Sequence, residues 1–255
     1  MTNIKISIIT ATWNVESTLA DTLESVKNQK YPGIEYIVVD GGSTDGTLDL
    51  LNLYGDTINR IISESDMGIY DAINKGIQVA TGDVIGFLHA DDILADNTII
   101  EKIASEFCLA ENLDSVIGDI VFVKQFDPTS VVRKYSSKKW RPSKFAWGFM
   151  PPHPSFFCRK KVYSQHGLYK LNYKIAADYE LMIRFLLINN ISYKYLPLVT
   201  TKMRLGGVST RGIKSLLILN KEIKRALLEN ELYTNYFMIY SKYVFKIFEF
   251  FKDRS

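Results

Sequence analysis

Short apolar, β-branched runs alternate with amphipathic stretches from residue 4 to residue 92, and each run ends in polar or acidic residues. Ile4 to Ala11 is the first run, and Ile34 to Val39 the second, ending at Asp40. Ile58 to Ser63 and Val84 to Leu88 follow. Between them, Glu16 to Asn28 carries Leu19, Leu23 and Val26 at helical spacing. Thr44 to Tyr54 and Gly68 to Ala80 read as two more helices. Strands alternating with helices predict an α/β fold: a mostly parallel central sheet flanked by helices and joined by right-handed crossovers. Ligands of such sheets sit beyond the carboxyl ends of the strands. Thr10 to Asn14, Asp40 to Asp45, Glu64 to Gly68, and Asp91 with Asp92 all fall at those ends.

The chain has 255 residues, 47% of them hydrophobic, enough for one large domain or a domain plus a tail. Cys108 and Cys158 are too few for a disulfide framework and lack metal-ligand spacing. They are expected to be buried thiols in a reducing compartment. The first ten residues lack the shape of a signal peptide, which predicts a cytoplasmic protein. Net charge is +3, but residues 128 to 177 hold eleven Lys and Arg and no Asp or Glu, leaving the remainder at −8. That segment reads as the partner of an anion (phosphate, nucleic acid or membrane) or as a solvated basic face.

The apolar run at 83 to 92 ends in His89-Ala90-Asp91-Asp92. Two adjacent carboxylates repel unless a cation lies between them. Without a Cys or His cluster they suit a hard, oxygen-preferring ion, Mg²⁺ or Mn²⁺. The alternative is a solvated turn or a helix cap. In Val39-Asp40-Gly41-Gly42-Ser43-Thr44-Asp45-Gly46-Thr47, the glycines permit tight turns and close approach of a ligand. Ser43 or Thr44 is placed to cap the next helix, and Asp40 to accept from a base or ribose. The segment is neither a dinucleotide fingerprint nor a Walker loop.

These stretches resemble family 2 glycosyltransferases of the A-type fold. So do Ser63 to Ile77, Ala80 to Asp92, and Ala176-Ala177-Asp178-Tyr179-Glu180-Leu181. The likeness runs in order from about residue 4 to residue 210 and looks closest to the branch building bacterial surface polysaccharides, such as colanic-acid-type transferases. It implies that Asp40 holds the base of a nucleotide-diphosphate sugar, first among them a UDP-sugar, with Thr10, Thr12 and Asn14 lining the pocket. It further implies Asp66, Asn74 and Lys75 near the ribose and diphosphate-sugar, and Ala90 and Asp91 at the donor. Asp91 would bind Mn²⁺ or Mg²⁺ with Asp92 beside it. His89 stands where the family's motif has its first acid, so its role stays open. Asp178 is the implied catalytic base, with helix capping as the alternative. One base and one metal suit an inverting single displacement.

Lys138, Lys139, Arg141 and Lys144 interleave with Trp140, Phe145, Trp147 and Phe149, a pattern suited to a glycan or lipid-linked acceptor. His153 and Trp147 are placed near that acceptor, and Arg211, in the segment resembling a closing loop, near the diphosphate. His166 is expected to be structural. Residues 1–211 would form the catalytic domain, split into a nucleotide-sugar half at 1–92 and an acceptor half at 93–211, followed by a helical extension at 212–255. Within that extension, Leu216 to Leu228 marks one helix and Tyr233 to Phe251 an aromatic second one. Lys242, Lys246, Glu249 and Asp253 would form a polar stripe on the second helix, which then lies on a membrane surface, packs against the catalytic domain, or packs against a second subunit in a homo-oligomer. A non-catalytic nucleotide-sugar binder and a nucleotidyltransferase are the alternative functions. A nucleic-acid binder would not need the acids.

Overall fold

The computed structural model describes residues 4–206 and 212–243. The chain forms two compact units that interleave along the sequence. Met1–Lys138, Pro151–Tyr169 and Ser192–Leu205 make the first, and Lys139–Met150, Lys170–Ile191 and the residues from Gly206 onward make the second.

The first unit holds the sheet. Its strands are β1 (Ile6–Thr12), β2 (Ile34–Asp40), β3 (Arg60–Ser63), β4 (Val84–Phe87), β5 (Ile93–Leu94), β6 (Ser115–Lys124), β7 (Asp127–Tyr135), β8 (Phe156–Arg159) and β9 (Tyr193–Arg204). Their order is β3-β2-β1-β4-β8-β6-β9-β5, with β7 paired to β6. The first four strands are mutually parallel, as predicted. Beyond β4 the sheet becomes mixed, because β8 runs antiparallel to both β4 and β6. The helices are α1 (Glu16–Lys27), α2 (Thr47–Leu53), α3 (Ile69–Val79), α4 (Ile99–Leu109) and α5 (Lys160–His166).

The helical spacing in α1 works as expected: Leu19, Leu23 and Val26 are buried against Ile6, Ile8 and Val38. Each such side chain contributes roughly 1.5–3 kcal/mol through removal from water. β1, β2 and β4 are buried on both faces, which is why they read as continuous apolar runs. Cys158 is buried, but Cys108 is exposed, so the expectation of two buried thiols holds for one. Cys108 lies on the outward face of α4, whose inward face is filled by Ile99, Ile100, Ile103, Ala104 and Phe107.

The second unit is helical. It contains a 3₁₀ turn at Pro142–Trp147, α6 (Ala177–Met182) running into a π-helical turn at Ile183–Ile188, α7 (Gly212–Glu229), and helical residues 236–243. Tyr179 donates from its hydroxyl to the Phe145 carbonyl and packs edge-on against the Phe145 ring. Glu222 of α7 accepts from the backbone amides of Lys174, Ile175 and Ala176 at 2.8, 2.9 and 3.0 Å, fixing the approach to α6. Trp140 and Phe145 are core residues of this unit, so of the four interleaved aromatics only Trp147 is strongly exposed. The expected polar stripe of the last helix fails at Lys242, which is 4% exposed and lies against Gly148. Lys246, Glu249 and Asp253 lie outside the described residues. Among the described residues no helix is long and apolar enough to cross a membrane.

Candidate active site

In the first unit, β1 and β2 end side by side, with Thr12 opposite Asp40 in the register. Asp40 is fully buried. Its carboxylate accepts from the Gly42 and Ser43 amides at 3.1 and 3.0 Å, and from the hydroxyls of Ser43, Ser63 and Thr12 at 2.5, 2.9 and 3.1 Å. Burial alone would raise its pKa, but these donors together hold it below the usual carboxylate range. Asp40 thus has its acceptor sites engaged by protein and shapes the loop, rather than reaching outward. Ser43 is part of the same node, so it does not cap α2, which starts only at Thr47 without a side-chain cap. Gly42 takes a φ of 82°, open to glycine without strain. At Gly41 a side chain would meet the Asp66 carboxylate at 2.6 Å.

Thr10 is also fully buried and donates to the Leu88 carbonyl at 2.7 Å. Like Thr12, it braces the strand ends. Asn14 is exposed, with a φ of 49°, and its Oδ1 accepts from the Thr44 amide at 2.8 Å. Trp13, between Thr12 and Asn14, is 66% exposed. The sequence reading passed over it, although a tryptophan directly after a buried strand has few reasons to face water.

Asp66 is partly exposed and accepts from the Gly68 amide at 2.8 Å. Lys75 bridges Glu64 at 2.8 Å and Asp71 at 3.3 Å. Asn74 is placed differently from the expectation. Its amide pairs twice with the Tyr169 backbone, at 2.8 and 3.0 Å, because the buried start of that connection needs a donor and an acceptor.

The turn after β4 carries the two acids in unlike surroundings. Asp91 is partly exposed, whereas Asp92 is 1% exposed. One Asp92 oxygen, Oδ2, is buried without a hydrogen-bond partner. Burial and then the neighbouring Asp91 charge push Asp92 well above the usual carboxylate range, while Arg204 acts in the opposite direction. The backbone of this turn is clamped. The Thr22 hydroxyl lies 3.0 Å from the Ala90 carbonyl and 2.7 Å from that of Asp92. Arg204, at the end of β9, donates to the Asp91 carbonyl at 3.0 Å and to the Gln125 carbonyl at 2.8 Å, and also pairs with Asp21. Arg204 is the second residue that the sequence reading missed.

His89 is partly exposed and sits 3.5 Å from His153, whose other ring nitrogen is 2.6 Å from the Tyr169 hydroxyl. Phe87 stacks on the His153 ring. Burial pushes both imidazoles below their usual range, His153 far below, so neutral rings occupy this layer. His153 is thus a buried neighbour of His89.

In the second unit, Asp178 lies in the first turn of α6, partly exposed, with Oδ1 accepting from the Tyr179 amide at 2.8 Å. Glu180, by contrast, is fully buried and clamped by Arg184 and Lys170, both at 3.0 Å. Of these two acids, Asp178 is the one open to solvent. Trp147 is 40% exposed. Arg211 lies outside the described residues.

Matches to known proteins follow these features. The family model "Glycosyl transferase family 2" matches residues 7–167, which contain the loop, the acid turn and His153. The chain belongs to glycosyl transferase family 2. It is 31% identical over 192 residues to a PGL/p-HBAD biosynthesis glycosyltransferase of Mycobacterium bovis (strain BCG / Pasteur 1173P2), covering 70% of this chain and 68% of that one. It is 39% identical over 97 residues to the putative teichuronic acid biosynthesis glycosyltransferase TuaG of Bacillus subtilis (strain 168), covering 36% and 38%. In fold it matches S. aureus TarS 1-349 in complex with UDP-GlcNAc, with TM-score 0.70, 20% identity, and coverage of 90% and 68%. It also matches mannosyltransferase PcManGT from Pyrobaculum calidifontis in complex with GDP-Man and Mn²⁺, with TM-score 0.64, 17% identity, and coverage of 88% and 65%. The predicted A-type glycosyltransferase fold is therefore the fold of this family 2 chain.

Proposed function

We propose that the protein transfers a sugar, with inversion, from a nucleotide-diphosphate sugar to a glycan or lipid-linked acceptor in surface polysaccharide synthesis. The observation that carries this reading is the partly exposed acid Asp91 on a clamped turn after β4, the strand beside β1, whose own end lies opposite Asp40 of the preshaped loop. Trp13 offers an aromatic face for the base of a UDP-sugar, Asn14 and Asp66 offer polar groups, and Lys75 a cation for the diphosphate. Asp40, Thr10, Thr12, Asn74 and Ala90 hold that surface from behind.

The donor set fits a hard divalent ion. Asp91 supplies an accessible carboxylate, and the unpartnered Asp92 Oδ2 lies behind it. Among the described residues no cluster of three or more His, Cys, Asp or Glu is placed to hold an ion alone. Asp91, with Asp92 beside it, would hold a Mn²⁺ or Mg²⁺ ion together with donor diphosphate oxygens and water. When bound, such an ion supplies charge stabilisation for the leaving diphosphate. Asp178 takes the proton of the acceptor hydroxyl as that oxygen attacks the anomeric carbon. Trp147, His153 and Arg211 remain proposed for the acceptor and diphosphate. Residues 1–211 are proposed as the catalytic region, working at the cytoplasmic face of the membrane, with 212–255 as an extension.

The test is a donor screen that reads free nucleoside diphosphate with and without Mn²⁺. One donor should turn over in a metal-dependent way, and Asp91→Asn should abolish turnover while leaving the melting temperature unchanged. Full activity of that variant in chelator-treated buffer would remove Asp91 from the metal site.

A further inference from the structure

The outward face of the second unit has a composition unlike a solvated helix surface. On α7, Lys214, Leu217, Lys221, Lys224 and Leu228 recur at spacings of three and four, on one side of the helix. The opposite side is buried through Asn220, Ile223, Ala226 and Leu227. Lys224 lies 4.2 Å over the ring of Tyr236, so this stripe continues onto helical residues 236–243. There Ile239 and Lys242 point inward, while Phe237 is 80% exposed. Leu217 is 57% exposed and Tyr236 46%.

We propose that the face formed by Lys214, Leu217, Lys221, Lys224, Tyr236 and Phe237 docks on an anionic lipid surface. Charge complementarity selects that partner. The described residues of the second unit hold eleven Lys and Arg against five Asp and Glu. Of those acids, Glu180 and Glu222 are buried, and Glu229 pairs with Lys170 and Arg225. Lysines flanking Tyr, Phe and Leu match an interface where ammonium groups meet headgroups and apolar side chains reach the acyl boundary. A second copy fits poorly, because a two-fold contact would press this lysine stripe against itself. Nucleic acid would leave the exposed Leu217 and Leu228 uncovered, since an aliphatic side chain offers a base no stacking platform. The proposal deepens the acceptor side of the reading above, but vesicle binding is measured apart from diphosphate release, so either can fail alone.

The experiment is flotation of the full chain with phosphatidylcholine vesicles, with and without phosphatidylglycerol. The protein should float only with the anionic vesicles, and less as salt is added. Lys221→Gln and Lys224→Gln should each lower partition roughly fivefold, and Phe237→Ser roughly tenfold or more. All three should keep the wild-type melting temperature and diphosphate release. Equal flotation with both vesicle types, or none with either, overturns the proposal. So does a change in oligomer mass in the variants, or a loss of RNA binding that tracks them in place of vesicle binding.

Discussion

Arg204 shows how one side chain can tie the turn that carries two acids to a distant strand. Its planar fork reaches two carbonyls and a carboxylate on three separate segments, at Asp91, Gln125 and Asp21. Lysine can replace the charge but not that geometry. Arg204→Lys is expected to keep the fold, to lower kcat/KM about tenfold (about 1.4 kcal/mol), and to raise the Mn²⁺ concentration needed for half activity. If activity falls only in step with melting temperature, Arg204 is a stability residue and nothing more. Asp178→Asn should cut turnover by roughly 10²-fold or more, the usual size of general-base help. Donor affinity by calorimetry should stay unchanged, because proton removal acts in the transition state. Donor binding lost in proportion to rate would make Asp178 a binding residue. The sequence showed which residue types mark the site, but not their tasks. Asp40 and Asp91 look alike as strand-end acids, yet one is engaged by five protein donors and the other faces solvent. Only the folded loop distinguishes them.

The elements reveal why part of the fold was readable. β1, α1, β2, α3 and β4 emerged within a few residues because burial imposes a period that the sequence repeats. The start of α2 moved to Thr47 because the Ser43 hydroxyl is bound to Asp40 rather than to a helix amide. β6, β8 and β9 were not legible, since their pairings, antiparallel at β8 and parallel between β6 and β9, join segments distant in sequence. At the opposite ends of β1, β2 and β4, Glu35 is a node of similar design. It accepts from the Ser7 hydroxyl at 2.5 Å, from the Thr81 amide at 2.7 Å and from the Lys5 ammonium at 3.2 Å. Burial acts to raise its pKa, but the hydroxyls of Ser7 and Thr81, the Thr81 amide and Lys5 bring it down from 4.5 to about 2. A depressed folded value means the carboxylate stabilises the fold above the ordinary pKa, by up to about 3 kcal/mol. That contribution is lost as pH falls from about 4.5 through about 2. Thermal melts of Glu35→Gln should lie below wild type at neutral pH and approach it in this acid window. A constant gap across the window would assign the variant's cost to packing instead.

For the whole molecule, the proposed site predicts a linkage between metal, nucleotide and stability. A ligand that binds only the folded chain stabilises it by RT ln(1 + [L]/Kd), about 2.7 kcal/mol at a hundredfold excess over Kd. For a chain of this size each kcal/mol raises Tm by roughly 2–4 °C. The protein carries its two acids on a turn already clamped by Thr22 and Arg204, so little ordering of that turn is needed before an ion is held. UDP with Mn²⁺ should therefore raise Tm by roughly 5–10 °C at such excess. UDP with chelator should give only a fraction of that shift, because Asp91 and the nucleotide would repel one another without the cation. Asp91→Asn removes one negative charge, so its shift with UDP should hardly depend on Mn²⁺. Equal shifts for wild type with Mn²⁺ and with chelator would show that nucleotide binding does not use the metal. A Mn²⁺-dependent shift surviving in Asp91→Asn would move the ion to other ligands, with Asp92 the first to test.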